Sequence, residues 1–86
     1  MKITIAPRAE KQFRKLPKFD QIAIAQKIRR LPQSNVLGEE KLSGYLRTYR
    51  VRVGDYRIVY RRTDDIYIIL IGHRRDIYRA LKELLG

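Results

Sequence analysis

This 86-residue chain lacks several residue types and patterns, and the absence of cysteine and of long apolar runs excludes particular kinds of protein. There is no cysteine and no tryptophan, and there is one histidine. Without cysteine the chain can form no disulfide framework, no thiolate zinc site and no cysteine nucleophile. No apolar run reaches the roughly 18–20 residues of a membrane span, and residues 1–5 lack the long apolar region of a signal peptide. We therefore expect no membrane association and a cytoplasmic location.

Acidic residues are also scarce. Nine Asp and Glu stand against 20 Lys and Arg, which gives a formal net charge of +11. Such an imbalance favours a polyanionic partner, which could be nucleic acid, an anionic membrane surface or an acidic protein. Six arginines but only one acid, Asp55, fall within residues 47–62. A protein of the membrane surface usually concentrates its charge on an amphipathic helix, whereas here the densest charge lies on predicted strands, so nucleic acid is favoured.

The apolar pattern predicts one folded domain over residues 1–86. Hydrophobic residues make up 44% of the chain, which is typical of a folded protein. Their spacing predicts the element order β-α-α-β-β-β-α. The predicted strands cover residues 2–5, a hairpin over residues 49–60 and residues 66–71, and the predicted helices cover residues 7–16, 21–31 and 77–85, with a loop at 32–40. We expect an α+β fold in which the helical hairpin packs on one face of a four-stranded, mainly antiparallel sheet, with the C-terminal helix at its edge.

The predicted hairpin places a row of arginines on one face. Its turn is at residues 54–55, and alternation puts Arg50 and Arg52 of the first strand on the same face as each other. Arg57 and Arg61 likewise share one face of the second strand. Because the guanidinium group is planar and always charged, this row suits a phosphate. The alternative is a solvated face whose cations keep an exposed hairpin from aggregating.

The one histidine, His73, lies at the end of the predicted central strand, next to Arg74 and Arg75. Period-two alternation places Ile69, Ile71 and His73 on one side of that strand. If this is the arginine side, His73 lies at the edge of the same basic surface. Histidine is the side chain best suited to proton transfer near neutral pH, although a single histidine can equally be structural.

Four segments in this order resemble the RelE/ParE toxin superfamily, and the RelE branch in particular. They are Lys-Leu-Ser-Gly at 41–44, Tyr-Arg-Val-Arg at 49–52, Gly-Asp-Tyr-Arg-Ile-Val-Tyr at 54–60 and Ile-Gly-His-Arg-Arg-Asp-Ile-Tyr at 71–78. The resemblance implies an α+β toxin of a toxin–antitoxin pair that cleaves mRNA, typically on the ribosome, without a metal or another cofactor. The 2′-OH would attack the adjacent phosphorus and leave 2′,3′-cyclic phosphate and 5′-OH ends. The ParE branch instead inhibits DNA gyrase.

The resemblance also assigns catalytic residues. Arg57 stands where the family has an arginine that stabilises the transition state. Arg74 matches a late basic residue near the leaving group, and Tyr78 matches a tyrosine that orients the reacting nucleotide. Other RelE-like toxins use histidine in this late segment, which makes His73 the candidate acid or base.

The arginines are the candidate phosphate-binding residues. Arg50 and Arg52 stand where RelE-type toxins carry basic residues that contact RNA, one of them a lysine that acts as the general base. Arginine hardly deprotonates, so it is a poor replacement for that base. The further candidate phosphate contacts are Arg47, Arg61 and Arg75.

The resemblance implies a small antitoxin with an acidic or amphipathic binding segment, and contact with promoter DNA only through that antitoxin. Leu81, Leu84 and Leu85 could serve the antitoxin interface or could simply close the core. Two alternatives to a ribonuclease stay open: a ParE-like gyrase inhibitor, and an inactive basic module that binds nucleic acid without cutting it.

Overall fold

The structure is a computed structural model that describes residues 1–33 and 35–86. These residues form five strands and three helices, numbered in chain order. The strands are β1 (Ile3–Ile5), β2 (Glu40–Lys41), β3 (Thr48–Val53), β4 (Tyr56–Arg62) and β5 (Ile66–His73), and the helices are α1 (Pro7–Arg14), α2 (Lys18–Arg30) and α3 (Ile77–Leu85). Ser34, in the predicted loop, lies outside the described residues. The predicted α+β class is confirmed.

The strands form one sheet in the order β1-β5-β4-β3-β2. β1 is parallel to β5, and the other pairs are antiparallel. The sheet therefore has five strands instead of the predicted four. The additional strand, β2, has two residues, and its Glu40 pairs with Arg50 of β3. A segment this short carries no period-two pattern, which is why the sequence does not predict it.

Prolines set the bounds of the helical hairpin. Pro7 is the first residue of α1, where its missing N–H costs nothing, and Pro17 precedes α2. α2 begins at Lys18, so Asp20 lies in its first turn instead of capping the helix, and its charge there favours the helix dipole. Gln21 of α2 links the two helices. Its Nε2 donates to carbonyl oxygens in the last turn of α1 and to one just after that helix. Over residues 1–33 and 35–86, no helix has the length and apolar character needed to cross a membrane.

One face of the sheet packs against α1 and α2. This first core contains buried side chains of the helical hairpin and of the three long strands: Ala9, Ile24, Ile28, Leu31, Val51, Ile58, Tyr60, Ile66, Ile68 and Ile71. Burying each large aliphatic side chain contributes about 1.5–3 kcal/mol. The helical hairpin thus covers one face, as predicted.

The opposite face packs against α3. Ile77 and Leu81 of this helix form a second core with Val59, Ile69 and Leu70 of the two central strands. α3 therefore covers the middle of the second face, whereas the sequence places the C-terminal helix at the edge. The physical reason is that Val59, Ile69 and Leu70 leave an apolar patch on this face, which α3 buries together with Leu42 and Tyr45.

A bulge in β5 decides which side chains share a face. Val59 pairs with Leu70 and Tyr60 pairs with Ile68, so Ile69 is an extra residue without a partner on β4. As a result Ile69 lies in the second core while Ile71 lies in the first. The predicted alternation of Ile69, Ile71 and His73 on one side is therefore wrong, because it counts through the bulge.

Candidate active site: an arginine cleft beside the last helix

A cleft of about 260 Å³ opens on the second face of the sheet, and Gly38, Glu40, Arg50, Arg52 and Arg57 line it. β3 supplies Arg50 and Arg52, since alternate residues of a strand point to the same face. β4 supplies Arg57, which pairs directly with Arg52. Three guanidinium groups therefore line one small concave surface, as the row of arginines in the sequence predicts.

Arg57 is held by the backbone of the hairpin turn. Its Nη1 donates to the carbonyl oxygens of Gly54 at 3.3 Å and Tyr56 at 3.0 Å. Burial lowers the pKa of Arg57 from its ordinary value, and the positive charges of Arg52, Arg50 and Arg74 lower it further. Within the described ranges, neither Arg57 nor Arg52 forms an ion pair. The cleft therefore concentrates positive charges, and a bound anion would reduce the repulsion between them.

Arg50 has two partners. Its Nη2 donates to Oε2 of Glu40 at 2.9 Å, and its Cζ lies 5.3 Å from the centre of the Tyr78 ring, a cation–π contact. The hydrogen bond and charge of Arg50 hold the pKa of Glu40 below its ordinary value. Tyr78, in the first turn of α3, is thereby brought to the rim of the cleft.

Arg74 lies beside the turn of the β3–β4 hairpin. Its backbone N–H donates to the carbonyl oxygen of Asp55 at 2.8 Å, and its Nε is 3.9 Å from the Asp55 carboxylate. Its charge is close enough to lower the pKa of Arg57. Arg74 therefore lies near Arg57, and Tyr78 lies near Arg50.

His73 lies on the other face of the sheet. It pairs with Tyr56, whose ring meets the imidazole edge-on at 5.9 Å, and Tyr56 packs against the first core. Nδ1 of His73 accepts a hydrogen bond from the backbone N–H of Arg75 at 3.1 Å, so Nε2 carries the proton of the neutral ring. The structure does not bring His73 to the arginine surface, since Gly72, its neighbour, is the residue paired with Arg57.

The remaining predicted site residues lie outside the cleft. Arg47, Arg61 and Arg75 are all exposed, immediately before β3, near the end of β4 and in the turn before α3 respectively. Of the predicted antitoxin contacts, Leu81 is 2% exposed and belongs to the second core. Leu84 and Leu85 are 39% and 37% exposed, so both offer apolar surface to a partner.

The sequence does not predict that Glu40 belongs to the site. It falls in a segment predicted as loop, and the strand pairing that places it beside Arg50 joins β2 to β3. Gly38, the other lining residue that was not predicted, has a φ of 81°, a conformation that favours glycine. No local pattern could have identified either residue, because both reach the cleft through tertiary contacts.

The comparison with protein families identifies the chain. Residues 3–78 match the family model described as the ParE toxin of type II toxin–antitoxin systems, parDE. The chain belongs to this family, within the RelE/ParE superfamily, and is a toxin of a toxin–antitoxin system of that type. No curated protein matches it significantly.

Solved RelE structures share the fold. The RelB–RelE antitoxin–toxin complex from Methanococcus jannaschii includes a chain 29% identical to this one, with a TM-score of 0.74, 90% of this chain covered and 96% of the other. The isolated E. coli RelE toxin is 26% identical, with a TM-score of 0.71 and 98% of each chain covered. The YoeB dimer from Staphylococcus aureus, 23% identical, with a TM-score of 0.72 and coverage of 86% and 97%, supports the fold alone.

Proposed function

We propose that this toxin is an endoribonuclease that cleaves mRNA on the ribosome and thereby inhibits translation. The observation that carries the proposal is the cleft in which Arg50, Arg52 and Arg57 converge. A surface this rich in guanidinium groups suits the phosphate of a nucleic acid strand. The likeness to RelE toxins supports the choice of RNA.

The proposed reaction is an internal transesterification. The 2′-oxygen attacks the adjacent phosphorus, the bond from phosphorus to the 5′-oxygen breaks, and the products are a 2′,3′-cyclic phosphate and a 5′-OH. The proton of the 2′-OH leaves and a proton is delivered to the 5′-oxygen. The pentacoordinate state carries more negative charge than the diester, so fixed arginines stabilise it more than the ground state.

Residues in and around the cleft have proposed parts. Arg52 and Arg57 hold the scissile phosphate, and Arg57 stabilises the added charge of the transition state. Arg74 lies where it can approach the leaving oxygen, and Tyr78 stacks on a base or orients the 2′-OH. Arg47, Arg61 and Arg75 contact neighbouring phosphates outside the cleft. The route needs no metal or cofactor, and the ribosome supplies the groups that move the protons.

A small antitoxin is the proposed natural inhibitor. The solved relatives include RelB–RelE antitoxin–toxin complexes, and the charge of +11 favours an acidic binding segment. Leu84 and Leu85 would contact an apolar part of that segment. Contact with promoter DNA would be made through the antitoxin, and the toxin would act in the cytoplasm.

Mapping of mRNA ends tests the proposal. Wild type and Arg57→Ala are added to a translating extract, with Arg29→Ala as a matched control that removes an exposed arginine from α2 on the opposite face. We expect wild type and Arg29→Ala to cut message, and Arg57→Ala to be slower by about 10²–10³, by analogy with loss of an oxyanion-hole donor. Intact message with wild type would refute the proposal.

A gyrase inhibitor is the second candidate, because the family model that matches is that of ParE toxins. A supercoiling assay with purified DNA gyrase distinguishes the two. Inhibition of supercoiling, together with intact mRNA in the extract, would establish the ParE-like function. Salt-sensitive RNA binding with neither activity would indicate an inactive binding module.

The position of His73 makes a separate prediction. Its imidazole packs against Tyr56 on the face opposite the cleft, so we expect His73→Ala to cleave within twofold of wild type in a single-turnover assay. A loss of tenfold or more that is restored by His73→Asn would show that a hydrogen bond of this side chain is needed. A loss that no substitution restores would assign the proton transfer to His73.

A further inference from the structure

Arg50 differs from the other two arginines that line the cleft because a carboxylate already holds it. Its Nη2 is 2.9 Å from Oε2 of Glu40, a distance at which charge-assisted hydrogen bonds form. In the described part of the chain, Arg52 and Arg57 form no ion pair. One of the three phosphate-binding groups is thus occupied in the free toxin.

The backbone places the Glu40 residue beside Arg50. Glu40 is the residue of β2 that pairs with Arg50 of β3, so the two side chains point to the same face of the sheet. The preceding residue, Glu39, points to the opposite face, where it accepts hydrogen bonds from the Tyr60 hydroxyl and from Arg62. Glu39 therefore anchors a strand of only two residues, and the anchor keeps Glu40 at the cleft.

We propose that the Glu40 carboxylate is an internal competitor for RNA: it occupies Arg50 in the free toxin, and a phosphate of the strand must displace it. The inference rests on the proposed function for the identity of the displacing anion. Glu40 suits exchange because its side chain is 65% exposed and can swing away into solvent, whereas that of Arg50 is 28% exposed and stays at the cleft.

Counterion release makes the competition measurable. The affinity of a protein for a single strand falls as a power of the salt concentration. Each phosphate that the protein neutralises adds about 0.7 to the exponent of that power. When residue 40 is neutral, the charge of Arg50 is not compensated by a carboxylate, so its contact with a phosphate adds one net neutralised charge relative to wild type. The gain in affinity from one such contact is about fourfold at 0.15 M salt and about eightfold at 0.05 M.

The experiment measures binding of a single-stranded RNA oligonucleotide with 2′-O-methyl groups, which cannot undergo the internal attack. Affinities of wild type, Glu40→Gln and Glu40→Ala are determined from 0.05 to 0.3 M NaCl. We expect both variants to bind more tightly, with a slope of log K against log salt steeper by about 0.7. The matched control is Glu10→Gln, which also frees an arginine (Arg14, on α1) and adds the same charge far from the cleft; its slope should equal that of wild type.

Three outcomes of the binding measurement would overturn the inference: slopes of the Glu40 variants equal to that of wild type, an equal steepening with Glu10→Gln, or no binding by any of the proteins. Loss of mRNA cleavage in Glu40→Gln at unchanged RNA affinity would also overturn it, because Glu40 would then take part in the chemistry. Tighter binding by the Glu40 variants, with message left intact by wild type, would support the competition while refuting the ribonuclease proposal.

Discussion

Arg47 adopts a backbone conformation that disfavours an L side chain. Its φ is 50°, and it is the one non-glycine residue with positive φ in the part of the chain that is described. The left-handed conformation costs about 1–2 kcal/mol for such a residue. Arg47 connects the loop after β2 to β3, and its carbonyl oxygen accepts a hydrogen bond from the N–H of Arg62 at 2.9 Å, which holds the strained residue in place.

Substitution of this residue by glycine should stabilise the toxin. Arg47→Gly removes the strain but increases the entropy of the unfolded chain, so we expect a net gain of about 0.5–1 kcal/mol in the free energy of unfolding. Urea denaturation measures it. Arg61→Gly, in the extended conformation of β4, is the matched control and should lose about 0.5–1 kcal/mol. Equal losses in both variants would show that Arg47 is not strained.

Tyr60 makes the stability of the toxin depend on pH in the alkaline range. Its side chain is fully buried and donates to Glu39, so burial first, and then the hydrogen bond and negative charge of Glu39, raise its pKa far above the ordinary value. The unfolded tyrosine ionises near pH 10, whereas the folded one stays neutral. The stabilisation is thus complete below about pH 10 and is lost as pH rises further.

Wild type should therefore lose about 1.4 kcal/mol of stability per pH unit above pH 10 through this group alone. Tyr60→Phe has nothing to ionise at this position, so its free energy of unfolding should fall less steeply over the same interval. Urea denaturation of both proteins from pH 8 to 11.5 provides the measurement. Parallel pH profiles would show that Tyr60 titrates normally in the folded protein.

At the scale of the element, β5 is longer than its neighbour β1. β1 ends opposite Ile68, whereas β5 continues to His73. Beyond Ile68, β5 therefore has no neighbouring strand on the side that faces β1. Gln12 of α1 compensates, because its Oε1 accepts the backbone N–H of Ile71 at 2.9 Å. A helix side chain thus replaces the missing strand along this part of β5.

Loss of this hydrogen bond should be costly. Gln12→Ala leaves the N–H of Ile71 without its partner, and we expect a loss of about 1–3 kcal/mol in the free energy of unfolding. Gln26→Ala, at an exposed position of α2, is the control and should change stability by less than about 0.5 kcal/mol. Chemical denaturation compares the two, and equal effects would show that the Gln12 contact contributes nothing specific.

The elements with strong local signals could be predicted from the sequence, and those without could not. Pro7 and the alternating arginines predict α1 and the hairpin correctly, and the apolar run at 66–71 is covered on both faces as expected, with Ile68 in one core and Leu70 in the other. The bulge and β2 depend on pairing between distant segments, so periodicity cannot detect them. For that reason alternation predicts the shared face of Arg50 and Arg52 correctly, whereas it wrongly puts His73 on the same side as Ile69 and does not identify Glu40.

At the scale of the whole molecule, charge repulsion works against folding. A net charge of +11 is carried by a body of 30 × 28 × 22 Å, dimensions only a few times the Debye length of about 8–10 Å at physiological salt. The positive charges therefore repel one another across the molecule. Added salt should stabilise the folded state by screening, and an anion that enters the arginine cleft should stabilise it further.

Thermal unfolding in chloride and sulfate separates these contributions. We expect the Tm of wild type to rise with NaCl and to rise more with Na₂SO₄ at equal ionic strength. Sulfate at ten times its Kd for the cleft would add about 1.4 kcal/mol. Arg57→Ala should lose much of the sulfate-specific gain, and Arg29→Ala should keep it. An equal sulfate effect in both variants would show that sulfate acts by exclusion from the surface instead of by binding.

The bulge at Ile69 also bears on how the gene can change in length. The residues on either side of Ile69 are already in phase with β4, since Ile68 faces Tyr60 and Leu70 faces Val59. A chain that lacked this one codon would form a regular strand and keep Gly72 opposite Arg57. The toxin therefore holds a position where a codon can be lost without shifting the register beside Arg57, although the second core under α3 would lose one buried side chain. Relatives that form a regular strand here should show a one-residue gap at this position.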